Sequence, residues 1–212
     1  MMTSVPTPSK PDATDPAFGT ARIWDLPTRA FHWLLVGSVC VGWWLGDNLS
    51  FTNIDWHFYL GYLTGGLLLF RILWGFVGPK PSRFSALFFS PGAILAYARR
   101  IGKRSPSGIA GHNPLGALSV LALLATLSVQ VVTGLLSDSD DFFTSGPLAA
   151  YVDSSVTQQA NAIHEISATV LLVLVGAHVT ALVFYLVWKR ENLIRPMITG
   201  SKLVAKEDTK DP

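Results

Sequence analysis

The sequence predicts an all-α integral membrane protein, a four-helix bundle with both termini in the cytoplasm. The first observation is composition, because half of the 212 residues are hydrophobic and only 14% are charged, against about a quarter charged in soluble domains. The second is spacing, because the apolar residues form four blocks that each approach or exceed the roughly 20 residues needed to cross hydrocarbon as a helix. These predicted spans are residues 30–46, 57–77, 114–136 and 163–188.

Charge placement, the third observation, predicts the orientation of the spans. All 16 Lys and Arg residues lie in the N-terminal segment, the 78–112 loop, the C-terminal tail or, for Arg71, near the end of the second span. The connections 47–56 and 137–162 contain none and carry only acidic charge. Because cytoplasmic loops are enriched in Lys and Arg, these connections face the opposite compartment, the periplasm if the source is Gram-negative. We therefore expect a multi-pass protein of the cell inner membrane, and its basic pI gives no reason to expect nucleic-acid binding.

The chain is expected to hold one folded domain between two tails. Residues 1–21 are rich in Pro, Thr, Ser and Asp, which is typical of a disordered tail. Residues 22–200 form the four-helix transmembrane domain, and residues 201–212 form a second cytoplasmic tail. Inside the 78–112 loop, apolar residues beside a basic cluster predict a short helix that lies on the inner leaflet.

Histidines are the residues most informative about function. His164 and His178 lie fourteen residues apart on the fourth span, about four turns and a rise of roughly 21 Å, so they project from nearly one face. A histidine inside a lipid-spanning helix is costly and marks a functional site by default. His32 is near the cytoplasmic side of span one and His57 is near the outer side of span two. Sorted by depth, His32 pairs with His178 and His57 pairs with His164.

Haem iron between two imidazoles is the favoured explanation of each histidine pair. Histidine is a standard axial ligand, and apolar walls suit a porphyrin. Zinc or copper would need further ligands, and no Cys, Met or carboxylate recurs at these depths. The alternative is that these histidines only form hydrogen bonds between helices. Such a structural role is common for one or two histidines and less so for four at matched depths. The only cysteine is Cys40 and there is no C-x-x-C-H motif, so a haem would be held non-covalently.

Four further residues are candidates for cofactor contact. Gly61 lies one turn into the second span, where a missing side chain could admit a flat macrocycle or simply allow close helix packing. Arg71 is expected at the depth of the inner pair, where it either binds a haem propionate bidentately or extends to lipid headgroups. Arg29 is a second candidate for the propionate. His112, at the inner interface, is expected to be a helix-start or quinone-site residue and not an iron ligand.

Motifs that run through the chain resemble those of a known family. They are the segment from Arg22 to Trp33, the start of span two from His57 to Gly61, the segment from Gly111 to Gly116, and His164-Glu165 with His178. Together they are similar to the bacterial cytochrome b561 family, which includes the cytochrome b subunits of Ni,Fe-hydrogenases. The resemblance covers nearly everything from Arg22 to Met197.

The resemblance implies a four-helix protein with two b-type haems, each held by two histidines. It implies that span one serves one haem, span two serves the other, and span four serves both. Carried onto this sequence, it assigns His32 and His178 to the inner haem. It assigns His57 and His164 to the outer haem, which agrees with the pairing by depth.

Electron transfer in a respiratory chain is the expected function. Electrons would pass between the quinone pool and a redox protein on the periplasmic side. Acidic outer connections favour a basic partner such as a soluble cytochrome c, and the resemblance equally allows a hydrogenase subunit. A quinone oxidoreductase that uses superoxide or another small oxidant is a third alternative, and a non-redox transporter or scaffold is the rival class. The sequence leaves open whether the chain is an enzyme or an electron-transfer subunit. Besides lipid, quinone and the redox protein, it allows a homodimer.

Overall fold

The computed structural model describes residues 18–107, 109–138 and 145–205. Most of this part of the chain is helical, and four helices are long. They are α1 (Leu26–Asp47), α2 (Ile54–Val77), α4 (Pro114–Leu136) and α5 (Ser154–Val187). The shorter elements are strand β1 (Phe18–Arg22), helix α3 (Pro91–Arg100), helix α6 (Ile194–Thr199), strand β2 (Ser201–Ala205), and 3₁₀ turns at Lys80–Ser82, Phe84–Leu87 and Ala149–Tyr151.

Three described helices, α2, α4 and α5, are long and apolar enough to cross a membrane. Helix α1 occupies the position of the predicted first span, and its 22 residues rise roughly 33 Å, slightly more than the ~30 Å of hydrocarbon. His32 and three tryptophans dilute its apolar character, which separates it from the other three. The four-span count and the cytoplasmic location of the termini therefore stay predictions.

Two helices begin with a capping side chain followed by a proline. Asn113 caps α4, because its side-chain oxygen accepts a hydrogen bond from the amide of Gly116 at 2.8 Å, and a proline follows at the first helical position. Ser90 caps α3 in the same way through the amide of Ala93 at 3.2 Å. Such side chains satisfy amides that have no partner within the helix. The predicted short helix in the 78–112 loop is therefore present, while its contact with lipid stays a prediction.

Helix α5 is longer than the sequence analysis predicts. It begins at Ser154, nine residues before the predicted span 163–188, and its 34 residues rise roughly 51 Å. The added turns are largely polar, so a search for apolar blocks does not find them. They shorten the predicted 137–162 connection, of which residues 139–144, including Asp140 and Asp141, lie outside the described residues.

The long helices meet in an apolar core at mid-depth. Helix α4 packs against α5 and α2, and α1 packs against α2. Leu68, Leu127 and Leu171 are buried together, and Leu35 and Val39 of α1 pack against them. Leu171 is seven residues from both His164 and His178. The core therefore lies midway between the two histidine depths on α5.

A small β-ribbon joins the two ends of the described chain. Strands β1 and β2 pair antiparallel, with Phe18 opposite Ala205 and Arg22 opposite Ser201. Ile23, Trp24 and Val204 form a second buried cluster beside them. The strand carries regular structure back to Phe18, inside the segment 1–21 that the sequence analysis assigns to a disordered tail. Two five-residue strands so far apart leave no local period in the sequence, so neither was predicted.

Candidate functional site

The outer histidine pair faces across the bundle. His57 lies in the first turn of α2 and His164 lies on α5, with ring centroids 6.3 Å apart and ring planes at 79°. His57 Nδ1 donates to the carbonyl of Gly42 at 3.0 Å. His164 Nδ1 donates to the carbonyl of Gln130 at 3.0 Å. Because a carbonyl can only accept, these bonds place the proton on Nδ1, so the Nε2 of each ring carries the lone pair that could bind a metal.

One turn of α4 forms a cradle for the His164 ring. The Gln130 side-chain amide donates to His164 Nε2 at 3.0 Å, and its oxygen accepts a hydrogen bond from Ser167. The Thr133 hydroxyl is 3.3 Å from His164 Nδ1. A Cβ at Gly134 would lie 2.8 Å from His164 Cε1, closer than atoms tolerate. A side chain at this position would push the ring away, so glycine lets the ring pack closely on α4.

A cavity of about 670 Å³ opens beside the outer pair, lined by α1, α2, α4 and α5. His57, Gly61 and His164 are among its lining residues. A Cβ at Gly61 would meet no atom within 4 Å, so close helix packing does not explain this glycine. The volume lies within the roughly 300–1,000 Å³ range of ligand pockets.

Four side chains at the inner end each carry a buried nitrogen that has no hydrogen-bond partner among the described residues. They belong to Arg29, His32, Arg71 and His112. The atoms are His32 Nδ1, Arg29 Nε, Arg71 Nη1 and His112 Nδ1. The Trp33 ring packs edge-on against His32, at 5.1 Å between centroids. Four unpartnered buried polar atoms at one end are unusual, because such groups normally have a partner.

Arg71 is held inside the protein, with only 5% of its surface exposed. Its guanidinium lies 5.1 Å from the centre of the Phe84 ring. One turn later, Trp74 Nε1 donates to an oxygen of Asp25 at 2.9 Å, and the Ser82 hydroxyl donates to the other oxygen at 3.0 Å. Arg29, the second arginine with an unpartnered buried nitrogen, donates from Nη1 to the carbonyl of Ile198. A cationic group with an unused donor is thus available on both α1 and α2.

His112 lies in the segment before α4, with its ring 4.8 Å from that of Trp24. The pKa of His112 is lowered from 6.5 to about 4, mainly by burial and also by the nearby Arg71, His178, Lys202 and His32. His112 is therefore neutral at physiological pH. His32 and His178 are close enough to His112 to act on its charge, so both inner histidines lie at this end of the bundle.

A buried ion pair closes the inner end. Lys202 Nζ lies 2.8 Å from Glu191 Oε1, and both side chains are less than 10% exposed. Glu191 also accepts from the amide and hydroxyl of Ser107, and Lys202 donates to the carbonyl of Ile109. Burial alone would raise the pKa of Glu191, but Lys202 and Ser107 hold it below its usual value. These contacts fix the loop before α4 to the C-terminal segment.

Comparison with known proteins identifies the family. The family model for prokaryotic cytochrome b561 matches residues 23–200. The chain belongs to the prokaryotic cytochrome b561 family. The resemblance carried by the sequence motifs is therefore confirmed, and membership implies a membrane cytochrome with b-type haem.

Relatives of this cytochrome match it along most of their own length. A protein of Rhizobium leguminosarum bv. viciae is 24% identical over 212 residues, covering 85% of this chain and 88% of the relative. A protein of Bradyrhizobium diazoefficiens is 26% identical, covering 86% of each chain. A protein of Azotobacter vinelandii is 26% identical, covering 89% of this chain and 90% of the relative. Each is named a probable Ni/Fe-hydrogenase B-type cytochrome subunit.

The sequence analysis of this cytochrome did not identify several residues that contact the site side chains. Gln130 is the only side-chain amide in α4, a signal that could have singled it out. The buried pair of Glu191 and Lys202 gave no signal, because charges beyond the last span are expected from orientation alone. Asp25 lies before the first span, and its partners Trp74 and Ser82 are distant in sequence, so no local pattern identifies its role.

Proposed function

We propose that this chain is a dihaem membrane cytochrome b that carries electrons between the quinone pool and a redox protein on the periplasmic side. His57 and His164 would hold the outer haem, and His32 and His178 the inner haem. Each haem would be bound non-covalently in the cell inner membrane. Bound haem would supply a one-electron couple between ferric and ferrous iron.

The spacing of the outer histidines carries the proposal. Imidazole–metal bonds are about 2.0–2.1 Å long, so two histidines that hold one metal between them would have ring centres about 6 Å apart. The observed centroid separation of His57 and His164 is 6.3 Å. Both rings also bond a backbone carbonyl through Nδ1, the outer contact that orients metal-binding histidines.

The surroundings of the outer pair fit a flat, mostly apolar group. The cavity of about 670 Å³ reaches both histidines, and Gly61 leaves open space on one wall. One contact must change on loading, because the Gln130 amide donates to the nitrogen of His164 that would bind iron. The amide would turn away while the carbonyl bond to Nδ1 stays in place.

The inner end fits the carboxylates of a haem. Arg71 and Arg29 each carry a buried nitrogen with no partner among the described residues. A propionate accepts from guanidinium groups in the charge-assisted, bidentate way that arginine favours. The burial of Arg71 favours this role over extension to lipid headgroups. His112, neutral and beside Trp24, remains a candidate for contact with quinone.

The chain would hold its two cofactors in one line along α5. His164 and His178 lie fourteen residues apart, a rise of roughly 21 Å, with the apolar core around Leu171 between them. Because two histidines would hold each haem, the haem would supply a redox couple and no binding site for oxygen or substrate. The chemistry left is outer-sphere electron transfer.

The names of the relatives favour a hydrogenase as the periplasmic partner. All three are probable Ni/Fe-hydrogenase B-type cytochrome subunits. A soluble cytochrome c remains the alternative, because the outer loops carry acidic charge that would attract a basic surface. Copurification with tagged protein, followed by identification of the bound redox subunit, separates these partners.

A visible spectrum and a haem count test the proposal. Purified full-length protein should show the Soret and α bands of low-spin b-type haem, and the pyridine haemochrome should give about two haems per chain, one for each histidine pair. A ratio of one would remove one pair from the proposal. Protein that folds and contains no haem would exclude the cytochrome function.

A further inference from the structure

We propose that the C-terminal segment Ile194–Ala205 positions the inner ligand His32, by holding the two side chains that flank this histidine on α1. The proposal rests on the proposed function, because it takes His32 as an iron ligand. The segment consists of α6 and β2, and the sequence analysis places its second half in a tail outside the folded domain. The structure packs both elements against the start of α1 and the residues that precede it.

His32 lacks the hydrogen bond that orients the outer histidines. A metal-binding histidine usually donates from its second ring nitrogen to a carbonyl or carboxylate, which fixes the plane of the ring. His57 and His164 each have such a carbonyl at 3.0 Å. His32 Nδ1 is buried and has no hydrogen-bond partner among the described residues. Packing must therefore orient this ring, and the Trp33 ring lies edge-on to it at 88°.

The side chains on either side of His32 both bind α6. Arg29 donates from Nη1 to the carbonyl of Ile198, and Trp33 Nε1 donates to the carbonyl of Met197 at 3.1 Å. Residues 29 and 33 are four apart, so they are neighbours on one face of α1, and they meet two consecutive carbonyls. His32 lies between them in the chain. The two bonds therefore fix this turn of α1 and the tryptophan that packs on the histidine.

The segment is itself firmly attached, which a positioning element requires. The carbonyl of Gly200 accepts from the amides of Ile23 at 2.8 Å and Trp24 at 3.1 Å. Gly200 has a φ of 85°, and a Cβ there would lie 2.8 Å from the carbonyl oxygen of Trp24, so only glycine fits without strain. Beyond it, the side chain of Val204 is fully buried, and Lys202 forms the buried ion pair with Glu191.

The same segment holds a second wall of the inner end. Lys202 Nζ donates to the carbonyl of Ile109 at 2.8 Å, three residues before His112. The His112 ring in turn packs beside Trp24, which bonds to Gly200. The outer pair has no such link, because its hydrogen-bond partners Gly42 and Gln130 belong to α1 and α4. Disturbing the segment should therefore affect the inner haem and spare the outer one.

Gly200→Ala in the full-length protein tests this selectivity. The added Cβ would press on the Trp24 carbonyl and shift the carbonyls that Arg29 and Trp33 bind. We expect at least a twofold loss of one haem, with the remaining spectrum matching that of the His32→Ala chain. Gly92→Ala is the control, because a Cβ there meets no atom within 4 Å and both haems should stay. Equal loss of both haems, or full loading in Gly200→Ala, would overturn the proposal.

Trp33→Phe tests the positioning role while both haems stay bound. Phenylalanine keeps an aromatic edge beside His32 and removes the indole donor to Met197. The electron paramagnetic resonance signal of a low-spin ferric haem depends on the relative orientation of its two imidazole planes. We expect the signal of the inner haem to shift, and that of the outer haem to stay, at an unchanged count of about two haems for the two histidine pairs.

Trp188→Phe is the matched control for this variant. Trp33 and Trp188 are both 45% exposed, and the indole of Trp188 also donates to a backbone carbonyl, that of Gly102 at 3.0 Å. Trp188 lies at the end of α5, ten residues beyond His178, so its loss should leave both signals unchanged. The same shift in both variants would show a general loosening of the inner end and contradict the proposal. So would an unchanged signal in Trp33→Phe.

The haem count of the unaltered chain separates two levels of failure. Fewer than two haems in that chain contradicts the proposed function. Two haems, with neither Gly200→Ala nor Trp33→Phe acting selectively on the inner one, contradicts the role of the C-terminal segment alone.

Discussion

Replacement of Arg71 by leucine tests the inner site most directly. The side chain is 5% exposed, has an unpartnered Nη1 and lies over the Phe84 ring. If it binds a propionate, its removal leaves an uncompensated carboxylate beside the inner haem. Negative charge stabilises ferric iron, so the potential of the inner haem should fall and that of the outer haem should stay unchanged.

The size of the shift follows from Coulomb's law. One unit of charge roughly 10 Å from a redox centre, at an effective dielectric constant of about 20, contributes roughly 1.7 kcal/mol. That energy is ~70 mV for a one-electron couple. Breaking a buried pair by removing one partner can also cost ~3–5 kcal/mol of stability. Partial loss of the inner haem is therefore the second expected outcome.

Redox titration of Arg71→Leu and Arg71→Lys in full-length protein is the assay. Lysine keeps the charge but loses the bidentate fork, so its shift should be smaller. Arg100→Leu is the matched control, because this arginine is exposed on α3 and its charge is screened by solvent. Unaltered potentials with full haem loading in Arg71→Leu would refute the propionate contact.

Three further predictions concern the histidines and their supports. His32→Ala and His178→Ala should remove the same haem, and His57→Ala and His164→Ala the other, as read from difference spectra; if His32→Ala gives the spectrum of His57→Ala, the pairing by depth is wrong. Gly134→Ala would place a Cβ 2.8 Å from His164 Cε1, so it should displace that ring and lower the loading of the outer haem. Gly66→Ala is the control, because a Cβ there meets no atom within 4 Å and haem loading should stay intact. The pKa of His112 is lowered from 6.5 to about 4 in the folded protein, so as the pH falls the unfolded chain takes up a proton on this histidine before the folded protein does. The free energy of unfolding should therefore decrease between about pH 6.5 and pH 4, by at most roughly 3 kcal/mol. His112→Gln should flatten that dependence in pH-resolved thermal unfolding, and an unchanged profile would show that His112 is not the group responsible.

Local patterns in the sequence carried most of the helical architecture. The apolar blocks predicted α2 and α4 to within a few residues, because a membrane requires about 20 apolar residues and internal hydrogen bonding. Asn113-Pro114 and Ser90-Pro91 stand at two helix starts, where capping depends only on neighbouring residues. Where a helix continues as polar residues, as at the start of α5, the same rule failed.

The sequence predicted the proximity of the outer histidines but not the residues that support them. Helical rise sorted His57 with His164 by depth, and the structure brings their rings to 6.3 Å. The carbonyl partners, Gly42 and Gln130, come from other helices. No rule of spacing within one helix identifies them.

The sequence by itself determined which residues lie at which depth, because rise per residue and hydrophobic period are properties of a single helix. Only the tertiary structure decided which faces meet. It set Phe84 over Arg71, Trp24 beside His112, and β1 against β2. These contacts depend on how helices rotate and pack against one another, and small shifts in packing exchange one partner for another. The chemistry of each site is therefore a property of packing, while its position along the membrane normal is a property of the chain.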